Sequence, residues 1–208
     1  MLQLPRLYPI LDPACFGDAA EMFAAAEELA TAGCTLLQYR NKSGNARLML
    51  DEARELKARL GSGFRPNVKV IMNDRADLCV AAQYHGLHVG QDDLSPELAR
   101  RMIGHDRWLG VSTHNPAQLV EADTTAADYL AIGPIFATNS KVNPDPVVGL
   151  EGLRRARELT RKPLVAIGGI TRANARSVID AGADSVAVIS DLLRDPGKSA
   201  EEFFRILG

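Results

Sequence analysis

Short apolar runs alternate with longer segments of helical periodicity along nearly the whole chain. Most runs are four or five residues long and almost continuously apolar, which is typical of parallel strands covered on both faces. Strands are predicted over 7–11, 36–42, 68–72, 86–89, 108–111, 129–132, 163–167 and 185–189.

The segments between the runs carry leucine and alanine at helical spacing among charged residues. Ser95-Pro96 and Asn115-Pro116 each place a capping side chain before a proline at the first helical position. Eight strands alternating with eight helices in 208 residues predict a single-domain (β/α)8 TIM barrel, with a doubly wound open sheet as the alternative. The helices are predicted over about 18–32, 46–60 and 76–83, from 95, and over about 115–126, 150–159, 172–181 and 199–207.

Three polar side chains lie in the back half of the second predicted strand. Gln38, Arg40 and Lys42 are two residues apart, and side chains two apart in an extended chain share a face. In a TIM barrel the chemistry lies at the carboxyl ends of the strands. Two cations beside an amide suit a phosphate or diphosphate. The alternative is that Arg40 and Lys42 are loop charges paired with nearby carboxylates.

Two aspartates follow the next two strands. Asp74 comes after Asn73 at the end of the third strand, and Asp93 follows the fourth. One or two carboxylates together with substrate phosphate oxygens are the usual ligands of Mg²⁺. We therefore expect Asp74 and Asp93 to bind Mg²⁺ that bridges to a diphosphate. Either aspartate could instead cap a helix.

A second phosphate site is predicted at the last two strands. Gly168 and Gly169 follow the seventh strand, and Ile189-Ser190 ends the eighth. Glycines let backbone N–H groups approach a phosphate, a helix N-terminus adds a positive end, and these loops are the common phosphate site of such barrels. The alternative is a plain tight turn.

The stretch 135–148 has neither helical nor strand periodicity, and connections of this length are usually functional or mobile. Within it Lys141 is flanked by the small hydroxyl residues Thr138 and Ser140. A lysine in such a loop can close over a phosphate.

No activated nucleophile is evident at the strand ends. Ser112 and Ser190 lack a partner base, and the cysteines lack a paired histidine. His114 has the pKa range of a general base but serves equally well as a loop residue. His88, inside the fourth strand, is predicted to be a hydrogen-bonded structural histidine.

Composition narrows the classes of function. The net charge is −2 with acidic and basic residues interspersed, which argues against a nucleic-acid or membrane-surface partner. The three cysteines have no disulfide or zinc spacing and are expected to be reduced core residues. No signal peptide or transmembrane run is evident, so a cytoplasmic location is expected.

Taken together and in order, the strand-end residues resemble those of the thiamine phosphate synthase family along essentially the whole chain. Each motif alone is weak, whereas their joint order is highly specific. The matching motifs are Gln38-x-Arg40-x-Lys42, Asn73-Asp74, Gly90-Gln91-x-Asp93, Gly110-Val111-Ser112, Gly133-Pro134-Ile135-Phe136 with Thr138 and Lys141, Ile167-Gly168-Gly169-Ile170, and Val188-Ile189-Ser190.

The resemblance implies that hydroxymethylpyrimidine diphosphate and thiazole phosphate are joined to give thiamine phosphate and diphosphate, with Mg²⁺. Because the strand ends offer cations and no nucleophile, departure of diphosphate before capture by the thiazole is predicted. The implied catalytic set is Arg40, Lys42, Ser112 and Lys141. The implied substrate contacts are Gln38, Arg40, Lys42, Asn73 and Lys141 at the diphosphate, Ser112 near the pyrimidine, and Thr138, Ser140, Gly168, Gly169, Ile189 and Ser190 around the thiazole phosphate, with Asp74 and Asp93 on the metal.

Two residues depart from the family pattern: Ser140 replaces a threonine, and Asp191 stands where a small residue is commoner. Three alternatives remain at this point. A thiazole tautomerase would not need the full cationic group with both aspartates, a phosphosugar epimerase or isomerase should supply two central acid/base groups, and a phosphate-ligand sensor would lack turnover. The sequence does not decide the oligomeric state, so a homo-oligomer stays among the alternatives.

Overall fold

The computed structural model describes residues 2–61, 68–138 and 145–208. Its strands lie at the predicted apolar runs, and each pairs in parallel with the next along the chain. The strands are β1 (Leu7–Leu11), β2 (Leu36–Tyr39), β3 (Lys69–Asn73), β4 (Gly86–Val89), β5 (Trp108–Thr113), β6 (Tyr129–Ile132), β7 (Leu164–Ile167) and β8 (Ser185–Val188).

The last strand returns to the first, since β8 pairs in parallel with β1 and places Ala187 opposite Tyr8. The sheet is therefore a closed barrel with its strands in chain order. This closure confirms the TIM barrel and excludes the open doubly wound sheet. The helices that cover it are α1 (Ala19–Thr31), α2 (Ala46–Gly61), α3 (Ala76–Ala81), α4 (Pro96–Ile103), α5 (Pro116–Asp123), α6 (Gly149–Leu159), α7 (Ala175–Asp180) and α8 (Pro196–Leu207).

Alternate side chains of each strand enter two separate cores. Tyr8 and Ile10 of β1 and Tyr129 of β6 pack together inside the barrel. Leu7 and Leu11, on the other face of β1, pack in the larger core under the helices. Alternate positions along a strand therefore face either the barrel interior, with the site above it, or the helices.

The carboxyl ends of β2 and β5 differ from the prediction by two residues or more. β2 ends at Tyr39 rather than at Lys42, although the Arg40 N–H still donates to the Leu11 carbonyl at 2.9 Å. β5 continues to Thr113, so Ser112 is a strand residue.

Helix starts follow their capping residues. Ser95 Oγ accepts the Leu98 N–H at 3.3 Å, as predicted for α4. α8 begins at Pro196 instead of Ser199, because Asp195 caps it, and the prediction overlooks this acid-proline pair.

Two further helix limits are corrected. α7 begins at Ala175 instead of 172, since the Thr171 N–H donates to Asn174 Oδ1 at 2.8 Å within a turn. α5 ends at Asp123, short of the predicted Ala126.

A buried arginine joins the amino-terminal ends of β5 and β6 through hydrogen bonds. Arg100 of α4 donates to Asp128 Oδ2 at 2.6 Å, and the same oxygen accepts the Leu109 N–H at 2.7 Å. The guanidinium thereby ties α4 to β5 and to the residue before β6. Its remaining hydrogen bonds go to the carbonyl oxygens of Gly104, Arg107 and Ala126.

The same arrangement recurs two units later along the chain. Arg157 of α6 donates to Asp184 Oδ2 at 2.8 Å, and that oxygen accepts the Leu164 N–H at 2.8 Å. In both places an aspartate just before a strand joins the preceding strand to an arginine from a helix. The bottom of the barrel is thus stabilised by charge-assisted hydrogen bonds.

None of the helices in the described ranges has the length and apolar content required to cross a membrane. Cys15, Cys34 and Cys79 are unpaired, as their spacing predicts. Cys34 and Cys79 are buried, but Cys15 is exposed, so the expectation that all three lie in the core is wrong for Cys15. It belongs to a short 3₁₀ turn, Pro13–Cys15, at the end of β1.

We expect Arg100→Gln to lower the free energy of unfolding by about 2 kcal/mol, because it removes the hydrogen bonds of the buried guanidinium to three carbonyl oxygens and to Asp128. Urea unfolding followed by circular dichroism measures this. Arg176→Gln is the control, since Arg176 forms an exposed i,i+4 pair with Asp180 and its loss should cost under about 0.5 kcal/mol. Equal losses in the two variants would contradict the proposed role of Arg100.

Candidate active site

Arg40 lies at the carboxyl end of β2 and is held by a carboxylate from the neighbouring strand. Its Nη1 donates to Asp12 Oδ2. Asp12 is buried, and its other oxygen accepts the Ala14 N–H at 3.0 Å. Asp12 is not among the site residues predicted from the sequence. An arginine has five N–H donors, so this pairing orients the guanidinium and leaves donors for an anion.

Lys42 is paired as well, with the first of the two predicted metal ligands. Its Nζ donates to Asp74 Oδ2. Asp74 has a φ of 61°, in the left-handed region that residues with a side chain rarely adopt and that is enriched at functional sites. No side chain caps α3, so Asp74 is not a helix cap. The predicted diphosphate and metal residues are thus in contact.

Asp93 lies beside Asp74 at the same edge. Its Oδ2 accepts the Gly90 N–H at 2.7 Å, and Ser95 rather than Asp93 caps α4. Partial removal from water, followed by the Asp74 carboxyl, raises the pKa of Asp93. Two neighbouring carboxylates repel each other, and a divalent cation between them relieves the repulsion.

The donor set fits Mg²⁺ completed by a phosphate substrate. Across the described ranges, no group of three or more histidine, cysteine, aspartate or glutamate side chains is placed to bind a metal. A pair of carboxylates with phosphate oxygens and water is nevertheless the usual Mg²⁺ environment. Asp74 and Asp93 could therefore hold the ion when the diphosphate is present.

Gln38 lies in the barrel interior rather than beside Arg40 at the surface. Its side chain is buried, and Nε2 donates to Tyr8 Oη at 3.0 Å. Asn73, the last residue of β3, is buried too. Both belong to the layer under the cations, and their contact with a diphosphate stays a prediction.

A chain of hydrogen bonds crosses the barrel from Gln38 to Ser112. Tyr8 Oη lies 3.1 Å from Tyr129 Oη, which lies 3.1 Å from His88 Nδ1. His88 Nε2 lies 2.8 Å from Ser112 Oγ. Burial lowers the pKa of His88 to about 4, so its ring is neutral near pH 7. His88 is hydrogen-bonded as predicted. The expectation that Ser112 lacks a partner base is wrong, because His88 of β4 and Ser112 of β5 lie on neighbouring strands.

Gly110 provides the space in which this chain meets. A Cβ at Gly110 would lie 2.1 Å from Tyr129 Cζ and 2.5 Å from His88 Nδ1. Any side chain there would displace one of the two rings. The glycine of the Gly110-Val111-Ser112 motif is therefore required by packing under the site.

Gly168 and Gly169 form a turn against the start of the following connection. A Cβ at Gly168 would lie 2.5 Å from Pro134 Cβ, and one at Gly169 would lie 2.5 Å from the Ala137 carbonyl oxygen. Both have positive φ, 100° and 62°. This packing agrees with the alternative that the two glycines form a plain tight turn. It leaves the phosphate prediction open, since no hydrogen bond in the described part of the chain uses the Gly169 N–H.

The two predicted phosphate loops are tied together by residues outside the predicted set. Arg172 donates through Nε to Asp191 Oδ2 at 3.0 Å, and the same oxygen accepts the Arg172 N–H at 2.7 Å. Asn174 Nδ2 donates to the Gly169 carbonyl at 3.0 Å. Asp191, a departure from the family pattern, therefore joins the loop after β8 to the loop after β7. The sequence predicts that a helix N-terminus adds its positive end to this phosphate site. Its contribution is less direct than predicted, because α7 begins at Ala175, beyond the turn.

The first residues of the connection after β6 are hydrogen-bonded to the end of β7 and to the turn that follows it. The Ile135 N–H donates to the Ile167 carbonyl at 2.9 Å, and the Phe136 N–H to the Gly168 carbonyl at 3.0 Å. The first residues of 135–148 thus continue the pairing with β7, although no strand periodicity predicts it. Thr138 is described, whereas Ser140 and Lys141 lie outside the described residues.

Three buried residues behind Lys42 fix the loop that carries it. Glu52 of α2 accepts from Tyr39 Oη and, at 2.9 Å, from Asn41 Nδ2. Asn41 Oδ1 in turn accepts the Ser43 N–H at 2.8 Å. Sequence analysis overlooks this support. Its only local signal is a glutamate on the apolar face of α2.

Comparison with known proteins identifies the family of this chain. Residues 7–192 match the family model described as thiamine monophosphate synthase. The thiamine-phosphate synthase of Koribacter versatilis is 63% identical over 99% of this chain and 97% of its own length. The chain belongs to the thiamine monophosphate synthase family. A second member, from Chloroflexus aurantiacus, is 44% identical over 89% of this chain and 83% of its own.

Solved structures extend the comparison. The thiamine phosphate pyrophosphorylase of Pyrococcus furiosus superposes with a TM-score of 0.85 at 31% identity, covering 97% of this chain and 95% of that one. A tryptophan synthase α-subunit from a hyperthermophile, at 16% identity and a TM-score of 0.68, covers 100% of this chain and 97% of its own and shares the barrel fold alone. The fold is thus common to several enzymes, and the argument for function comes from the sequence identity to the family members rather than from the fold.

We expect Asp93→Ala to weaken binding of hydroxymethylpyrimidine diphosphate in Mg²⁺ on the order of tenfold or more, because one of two metal carboxylates is lost. Titration calorimetry with and without Mg²⁺ measures this. Thiazole phosphate should bind unchanged. Asp92→Ala, an exposed neighbour in the same turn, is the control. Equal weakening of both ligands by Asp93→Ala would show that Asp93 only shapes the turn.

Proposed function

We propose that this protein is a thiamine-phosphate synthase. It joins hydroxymethylpyrimidine diphosphate to thiazole phosphate and releases diphosphate. The observation that carries this proposal is 63% identity to a thiamine-phosphate synthase over 99% of the chain, with the strand-end residues of the family gathered at one edge of the barrel.

The pyrimidine diphosphate would bind at the ends of β2, β3 and β4. Arg40 and Lys42 supply positive charge there, each already oriented by a carboxylate. Lys42 contacts Asp74, so a bound Mg²⁺ would compete with Lys42 for that carboxylate. Displaced Lys42 is then available to a phosphate oxygen, which makes metal and diphosphate binding mutually supportive. When bound, Mg²⁺ would supply charge neutralisation for the diphosphate.

The thiazole phosphate would bind at the ends of β7 and β8. Support for this comes from the Gly169 N–H and the Ser190 hydroxyl, neither of which hydrogen-bonds within the described part of the chain. Arg172 offsets the charge of Asp191, so the carboxylate beside Ser190 need not repel the phosphate. Thr138, Ser140 and Ile189 would complete this end, and Lys141 would act on the diphosphate.

The proposed mechanism is departure of diphosphate first and capture by the thiazole nitrogen second. The cations of Arg40 and Lys42 stabilise charge on the leaving group, which favours breaking the carbon–oxygen bond. The amino group of the pyrimidine can stabilise the developing carbocation at the exocyclic carbon. Ser112 would donate a hydrogen bond near that carbon. We place the reaction in the cytoplasm, which the unpaired cysteines support.

Incubation of the protein with both substrates and Mg²⁺, with products identified by mass, tests the function. Thiamine phosphate and diphosphate are expected in equal amounts. An isomerised thiazole phosphate formed without the pyrimidine substrate would indicate a tautomerase. Binding of either phosphate without turnover would indicate a sensor.

The order of steps is tested by a pyrimidine substrate whose methyl group is replaced by a strongly electron-withdrawing one. Because such a group destabilises a carbocation, we expect turnover to fall by on the order of a hundredfold or more, with binding largely intact. Single-turnover rates and binding constants for the two substrates give the comparison. Similar single-turnover rates, with chemistry limiting, would favour direct displacement by the thiazole nitrogen.

A further inference from the structure

The hydrogen-bond chain under the site has a direction that its first residue sets. Gln38 presents its amide nitrogen to Tyr8 Oη, so Tyr8 Oη accepts at that contact. The Tyr8 proton is then left for Tyr129 Oη, its other partner. Tyr129 Oη in turn has its own proton for His88 Nδ1. Each hydroxyl has one proton to give, so a donor at the start fixes every later bond.

The ring of His88 transmits this direction to the site. A neutral imidazole carries one N–H, and if Nδ1 accepts from Tyr129, the proton lies on Nε2. Nε2 is 2.8 Å from Ser112 Oγ, so Ser112 accepts there. Ser112 Oγ has no other hydrogen-bond partner in the part of the chain that the structure describes. Its own proton is therefore left for an acceptor in the site.

We propose that His88 is a positioning residue: held as the Nε2–H tautomer by the Gln38–Tyr8–Tyr129 chain, it makes the Ser112 hydroxyl a hydrogen-bond donor to the substrate. This deepens the proposed function and rests on it for the identity of the acceptor. The diphosphate oxygen that leaves carbon gains negative charge as its bond breaks, so a hydroxyl aimed at it stabilises the transition state more than the bound substrate.

The burial of the chain supports this arrangement. Tyr8 and Tyr129 are each at most 1% exposed, and His88 is 7% exposed. Burial raises the pKa of both tyrosines and lowers that of His88, so the three rings are neutral near pH 7. Hydroxyl and imidazole protons in such a site have few alternative partners, and reversing one bond requires reversing all of them.

The tautomer can be observed without any substrate. In protein labelled with ¹⁵N at histidine, couplings to the ring protons show which nitrogen of His88 is protonated, and the spectrum of His88→Gln assigns the signals. We expect Nε2–H in the ligand-free protein at neutral pH. An Nδ1–H tautomer would overturn the proposal, because the chain would then run from Ser112 toward Gln38.

A single change three hydrogen bonds away should reverse the chain. In Gln38→Glu an ionised carboxylate can only accept from Tyr8, so Tyr8 must donate to it and each following bond turns round. His88 should then become the Nδ1–H tautomer. Asn73→Asp, which adds a charge opposite His88 in the neighbouring strand but replaces no member of the chain, should leave Nε2–H in place. An unchanged tautomer in Gln38→Glu, or the same change in both variants, would overturn the role of Gln38.

The effect on the reaction is measured with Tyr129→Phe, which breaks the chain without contacting the site. We expect kcat to fall about tenfold, with little change in KM, because Ser112 loses its fixed orientation. Tyr84→Phe is the matched control: Tyr84 is 1% exposed and donates to the Ala53 carbonyl at 3.1 Å outside the barrel interior. If Tyr129→Phe fails to fold, Tyr8→Phe breaks the same chain.

Equal kcat values in the Tyr129→Phe and Tyr84→Phe variants would overturn the catalytic part of the proposal. The tautomer measurement and the product assay together distinguish a failure of this proposal from a failure of the proposed function. A protein that shows the Nε2–H tautomer but forms no thiamine phosphate would contradict the function alone. Turnover with the Nδ1–H tautomer would contradict the inference alone.

Discussion

The narrow interior of the closed eight-stranded barrel is the constraint on which the site depends. Alternate side chains of every strand enter this space and must fill it. They include Gln38, His88, Tyr8 and Tyr129, all buried. Buried polar groups are costly unless they are hydrogen-bonded. Because no buried side-chain polar atom of the described residues lacks a partner, the polar layer is internally satisfied. That layer forms the floor of the site.

Above this floor the positive charges are oriented before any ligand binds. Arg40 contacts Asp12, and Lys42 contacts Asp74. Glu52 fixes the loop between them from behind through Asn41. Arg40, oriented by Asp12, needs little reorganisation when an anion arrives, which is the general condition for electrostatic stabilisation in a site.

Much of the fold follows from local pattern. Apolar runs mark all eight strands, and parity within each strand then places residues inside or outside the barrel. The convergence of Arg40, Asp74 and Asp93 also follows, because strand ends meet at one edge. Even the overlooked start of α8 has a local signal, Asp195-Pro196.

The rest depends on contacts between distant parts of the chain. Tyr8 and Tyr129 are 121 residues apart, and each lies in an apolar run where it has the pattern of an ordinary core residue. Only barrel closure brings their hydroxyls together. Asp12 and Arg40 are likewise 28 residues apart, each directly after one of the neighbouring strands β1 and β2. The periodicity of the sequence does not predict such pairs. The polar residues at the strand ends could therefore be predicted from the sequence, whereas the buried partners that hold them in place could not.

Backbone hydrogen bonds close the base of the connection after β6. The Val148 N–H donates to the Pro134 carbonyl at 2.8 Å, and the Gly149 N–H to the Ile135 carbonyl at 3.2 Å. A loop closed at its base is an exchangeable module, because its ends meet at the same points whatever its length. Doubling the length of such a loop costs only about 0.6 kcal/mol of closure entropy. Substrate selectivity could therefore diverge in this segment while the barrel beneath it keeps the same strands, register and hydrogen bonds.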